Sequence, residues 1–143
     1  MALKRLMVVA LVAVSGSAGC GTEPGSRSCT VTTISIQDVR VTDPLAPLTL
    51  TATVTANGRP LPGADLAYFI AVGRPGERTV GHVVGQATTD DDGVARYVRK
   101  HGVDGLAFSD ERIDRYSVEY SPLNKIDNVQ YCRARADARL TVI

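Results

Sequence analysis

The chain has 143 residues, 44% hydrophobic and 22% charged, with 16 Lys and Arg against 15 Asp and Glu. That length suits one compact domain, and the near-neutral balance leaves no basic footprint for nucleic acid or anionic lipid. The lack of Trp and the scarcity of aromatic residues predict a core of Val, Leu, Ile and Ala.

Lys4 and Arg5 form a short positive head, Leu6–Val14 is an unbroken apolar run, and Ser17, Ala18 and Gly19 lead into Cys20. Charge, apolar stretch and small residues in that order read as a secretory signal. The run is too short to cross about 30 Å of hydrocarbon as a helix. A cysteine directly after the small residues makes the segment resemble a bacterial lipoprotein signal, although Ser17 stands where Leu, Val or Ile is usual. The resemblance implies a signal peptide over 1–19, with Cys20 acylated (palmitate being the expected chain) and made the new N-terminus. It also implies an anchor in the cell membrane or outer membrane, facing periplasm or exterior. Two or more acyl chains hold a protein stably where one does so only marginally. The alternative, an ordinary secretory signal cut near Ala18, leaves Cys20 free. Losing Lys4 and Arg5 leaves 14 basic against 15 acidic residues.

Gly21–Ser28 (GTEPGSRS) has linker composition, so 20–28 reads as the lipidated cysteine and a tether, and 29–143 as the folded domain. Eight residues reach at most about 28 Å, which keeps the domain close to the bilayer. With Cys20 lipidated, Cys29 and Cys132 remain as an even pair in an oxidising compartment, and a disulfide between them is expected. Two unpaired thiols are the alternative.

Seven runs at regular spacing follow, lettered A to G, and no segment has a helical period. Thr30–Val41 is A. In B, Leu48–Ala56, apolar residues alternate strictly with Thr49, Thr51, Thr53 and Thr55, the mark of a half-buried strand. Asn57–Gly63 (NGRPLPG) is dense in turn residues and reads as hostile to any ladder. C, Ala64–Val72, places Leu66, Tyr68, Ile70 and Val72 on one face. D, Val80–Thr88, and E, Gly93–Lys100, flank Thr89–Asp92, read as a hairpin connection with Gly93 able to take positive φ. In F, Tyr116, Val118 and Tyr120 share a face. In G, Cys132–Val142, small and apolar residues alternate with Arg133, Arg135, Asp137, Arg139 and Thr141. Short strands so spaced predict an all-β fold, a seven-stranded antiparallel sandwich.

The stretches LTLTATVTANGRPLPGADLAYFI, GQATTDDDGVARYV and ARADARLTV resemble the bacterial Ig-like domain of the invasin/intimin type. That family's turn motifs fall on Gly58, Pro60 and Gly63, and on Thr89, Asp90, Gly93 and Ala95. The resemblance spans Leu48–Ile143 and implies an Ig-like β-sandwich. The transthyretin-like or carboxypeptidase-regulatory sandwich shares these turns, but its Pro-Gly-x-Tyr approach to the last strands has no match in Ala107–Tyr116.

In such a sandwich the first and last strands lie side by side, partly parallel, which puts Cys29 and Cys132 at one end. The tether then leaves from the pole holding Asn57–Gly63, Thr89–Gly93 and Pro122–Gln130. Thr42–Pro47, Gly73–Thr79 and His101–Asp114 point away from the membrane. Loops on a rigid scaffold are where binding resides, so Arg74, Arg78, Phe108 and Arg112 are the candidate partner contacts. Loops without a partner are the alternative.

Neither His82 nor His101 has ligands at metal spacing, and Asp90–Asp92 lacks the EF-hand pattern, so neither a metal nor another cofactor is expected. Arg133, Arg135 and Arg139 read as a solvated stripe. No nucleophile motif or phosphate loop occurs. These residues point to a non-enzymatic module that binds or scaffolds an envelope protein or glycan and takes no nucleic acid. The alternatives are an adhesion or host-contact protein and an accessory glycan- or protein-binding domain.

Overall fold

The computed structural model describes residues 28–143; Met1–Arg27, with the expected signal, Cys20 and most of the tether, lie outside the described residues. Nine strands occur there and no helix: β1 (Thr32–Ser35), β2 (Val39–Val41), β3 (Leu48–Ala56), β4 (Arg59–Pro60), β5 (Asp65–Gly73), β6 (Val80–Thr88), β7 (Val94–Arg99), β8 (Arg112–Tyr120) and β9 (Ala134–Val142). One sheet pairs β3 with β1, β4 and β7, and the other runs β2-β9-β8-β5-β6. Their inner faces share one core.

Seven predicted runs become nine strands for two local reasons. Run A is one stretch of sequence but serves both sheets: β1 pairs antiparallel with β3, and β2 pairs parallel with β9. Two bonds hold the switch between them. The Tyr116 hydroxyl donates to the Gln37 carbonyl at 2.5 Å, and the Arg139 N–H donates to the Asp38 carboxylate at 2.9 Å. The second reason corrects the reading of Asn57–Gly63. Asn57 and Gly58 both take positive φ, +52° and +72°, which closes a two-residue hairpin and lays Arg59–Pro60 against Thr55–Ala56.

Two further differences concern connections. β6 pairs with β5 and β7 with β3, so Thr89–Gly93 carries the chain from one sheet to the other instead of closing a hairpin. β8 starts at Arg112, four residues before the readable alternation. Asp114 is the extra residue of a bulge, since Ala71 faces Arg115 and Val72 faces Ile113, and an extra residue resets the period of two.

The alternating faces fall where period two puts them. Leu48, Leu50, Ala52 and Val54 of β3 are buried, as are Leu66, Tyr68, Ile70 and Val72 of β5. The core is more aromatic than composition predicts: Tyr68 and Tyr116 are its largest fully buried side chains. Each Tyr has a polar tip that needs a partner, and these partners stitch the layers. Tyr68 donates across the core to the Ala95 carbonyl at 2.9 Å, and Tyr97, stacked on Tyr68, donates to the Val84 carbonyl at 2.7 Å. Gly85 is required beneath that ring, because a Cβ there would overlap it.

Burial pushes the Tyr68 hydroxyl up to about 12, with Tyr116 adding to the shift, and burial likewise raises Tyr116 and Tyr120. A phenol with a raised folded pKa contributes stability that is fully present below its unfolded value of about 10 and is lost as pH rises through the folded one. Alkaline titration should therefore ionise these three only as the fold is lost. Tyrosinate absorbance followed beside circular dichroism checks this. Tyr68, Tyr116 and Tyr120 titrating near pH 10 with an unchanged dichroism spectrum would contradict it.

Candidate functional site

The two poles of the sandwich differ in construction. At one, the Cys29–Cys132 disulfide joins the start of the described chain to the approach to β9, with Cα atoms 5.0 Å apart. Its flanks pair as a short parallel bridge: the Thr30 N–H donates to the Gln130 carbonyl and the Cys132 N–H to the Thr30 carbonyl, each at 2.8 Å. The expected pairing and its place are both found.

The same pole is braced by Thr89. Its buried hydroxyl donates to the Leu61 carbonyl at 2.6 Å and accepts from the Ala64 N–H at 2.8 Å. Its backbone exchanges two more bonds with the same turn, Gly63 N–H to Thr89 carbonyl at 3.0 Å and Thr89 N–H to Ala64 carbonyl at 2.9 Å. Asp90 closes the next turn, its carboxylate accepting from the N–H groups of Asp92 and Val94 at 2.9 and 3.1 Å. That local work accounts for Asp90 without a cation.

At the other pole the structure brings the two candidate loops together. Arg74, at the end of β5, and Asp110, just before β8, form an ion pair of 2.7 Å. Arg112 lies directly across from Gly73 in the β5–β8 ladder, which sets it one position from Arg74. It stands in a strand instead of the expected loop, and its guanidinium donates to the Glu111 carbonyl at 3.0 Å. Phe108 is 78% exposed on a turn closed by the Glu111 N–H to its carbonyl and by its own N–H to the Glu111 carboxylate. Arg78 is exposed at the far side of the 74–79 turn.

The long connection from β7 to β8 is not free along its length. Gly102 takes a φ of +62° where a Cβ would overlap the Pro44 and Ala46 carbonyl oxygens, and the Val103 N–H donates to the Pro44 carbonyl at 3.0 Å. Val103 is buried in the core cluster, and Leu106 and Ala107 pack on it. That half of the loop closes the end of the sandwich and presents Phe108 from a fixed base.

Arg74, Arg78, Phe108 and Arg112 are all exposed, and the Arg74–Asp110 pair is the contact that joins the two loops bearing them. Asp110 and Glu111 had no signal in the sequence beyond their turn-forming neighbours, because their roles depend on how two loops far apart in the chain converge.

Within the arginine stripe, the Arg135 side chain engages its neighbours. Arg135 meets Glu119 and Asp137 at 3.1 Å each, and the Ser117 hydroxyl donates to Asp137. Asp137 is held below the usual carboxylate range, first by that hydroxyl and then by Arg135. Among the described residues, no group of three His, Cys, Asp or Glu is placed to hold a metal, and no helix is long and apolar enough to cross a membrane. No protein-family model matches the chain, and no curated protein matches it.

Proposed function

We propose that the chain is a lipid-anchored, non-enzymatic Ig-like module of the bacterial cell envelope, which holds an envelope protein or glycan on its outward loops. Sheet order supports the Ig-like reading. With β1 and β2 as the two halves of the first strand, the layers follow A-B-E and A′-G-F-C, with β6 added beside the C strand. The signal-like segment ending at Cys20 supports the anchor. The single observation that carries the binding role is the Arg74–Asp110 pair, which joins the two predicted loops into one surface at the pole opposite the disulfide.

Two experiments test this. Cys20→Ser should move the protein from the membrane to the soluble fraction; unchanged fractionation would contradict the anchor. Replacing Arg74, Arg78, Phe108 and Arg112 with alanine should leave the domain folded, because exposed ion pairs contribute only about 0–1 kcal/mol. Loss of an aromatic anchor of about 2 kcal/mol should weaken partner capture roughly thirtyfold. A pull-down from crosslinked envelopes reads the result, and retention of every co-purifying partner would count against these loops.

A further inference from the structure

Leu123 is 94% exposed, more than any other large hydrophobic side chain among the described residues. It sits on a firm base. Ile126 and Val129 exchange two backbone bonds of 3.0 and 2.9 Å across Asp127 and Asn128, both at positive φ. Lys125, Asn128 and Val129 line a depression of about 400 Å³ with Ser28, Cys29 and Thr30, so this loop flanks the point where the described chain begins. Val31, 71% exposed, and Val129, 37% exposed, stand nearby.

A lone exposed leucine is ordinary on a protein surface, and the opposite pole carries Phe108 and Leu45 at 78% and 66% exposure. The chain outside the described residues separates the two poles. Eight residues link Cys20 to Cys29, a reach of at most about 28 Å. An anchor at Cys20 therefore keeps the disulfide pole within about 28 Å of the headgroups, close enough to touch them.

We infer that this pole rests on the phospholipid bilayer, with Leu123 as the side chain that enters it. The inference depends on the proposed lipid anchor and deepens it by giving the domain a fixed orientation. The contact is apolar. Lys125 and Arg59 at this pole are outnumbered by Asp65, Asp127 and the three carboxylates of Asp90–Asp92, so anionic lipid adds no attraction.

The chain has no Trp, which makes single-Trp reporters unambiguous. With Cys29 and Cys132 paired, Cys20 is the one remaining thiol, and residues 20–143 can be coupled through it to a maleimide phospholipid in phosphatidylcholine vesicles. Leu123→Trp and Phe108→Trp are both surface changes. Brominated acyl chains should quench Leu123→Trp several-fold more strongly than Phe108→Trp and shift only its emission to the blue. Adding phosphatidylglycerol should strengthen neither. Val31→Trp is a second reporter on the same pole should Leu123→Trp misfold, and it should also be quenched more strongly than Phe108→Trp. Equal quenching at both poles, or stronger quenching of Phe108→Trp, would overturn the orientation. Because coupling is chemical, that failure is separate from failure of acylation in the cell, which Cys20→Ser fractionation reports.

Discussion

The double variant Cys29→Ala/Cys132→Ala should unfold about 15–20 °C below the parent, corresponding to a loss of roughly 4–5 kcal/mol. The bridge spans 103 residues and ties the first described residues to the approach to the last strand. Reduction therefore releases nearly the whole domain from a closed loop, and the loss comes mainly from greater freedom of the unfolded chain. The bonds around Thr30 lie beside the bridge and should fray with it. Thermal scans with and without reductant check this. Reductant should bring the parent down to the midpoint of the double variant and leave the variant where it is. A parent midpoint that holds steady while two thiols titrate free would contradict this account of the fold.

Thr89→Val should cost about 2–5 kcal/mol, although it alters neither size nor shape by much. The valine cannot replace the hydroxyl that serves the Leu61 carbonyl and the Ala64 N–H, and both are then left unpaired at a buried site. Each unsatisfied buried group costs about 1–3 kcal/mol. Thr89→Ser keeps the hydroxyl and should recover most of the loss. Chemical denaturation of the three proteins reads the difference, and equal midpoints for Val and Ser would show that the brace contributes nothing. The turn after β3 and the crossing from β6 to β7 are held by this one side chain, so local opening in Thr89→Val should appear there first in hydrogen exchange.

Much of the fold was legible because period two is a strong signal wherever one face is buried. The bounds of β3 and β6 match the runs read from sequence, and the buried faces of β3, β5, β8 and β9 were assigned correctly. The disulfide was expected from the even pair of cysteines left once Cys20 is set apart, and its pole from the strand arrangement that the Ig-like resemblance implies. Legibility failed where geometry breaks the period or depends on distant partners. Asp114 hides the first half of β8 by adding one residue to the count. Pro60 argues against a ladder, yet Asn57–Gly58 closes a hairpin tight enough to make one. Thr89–Gly93 looks like a hairpin because its turn chemistry is local, while the sheet each flanking strand joins is decided by partners elsewhere.

The surface at the pole opposite the disulfide divides in the same way. Gly73–Thr79 and the 101–114 stretch were readable as loops of one pole, but their union depends on Arg74 meeting Asp110 across 36 residues. The anchoring of Val103 in the core was unreadable too, since a lone Val between Gly102 and Asp104 carries no periodicity. Phe108 was marked by residue type, and the structure adds the Glu111 turn that holds it exposed.

The proposed arrangement, with one end pinned to a membrane and the other offered to a partner, makes a definite demand on the three cysteines. Intact-mass analysis of the protein recovered from membranes, before and after reduction, tests it most directly. The account predicts a chain beginning at Cys20 that carries fatty acyl mass, with one disulfide mapping to Cys29 and Cys132. A chain with a different first residue, or an unmodified Cys20 bridged to either of the other two, would contradict it.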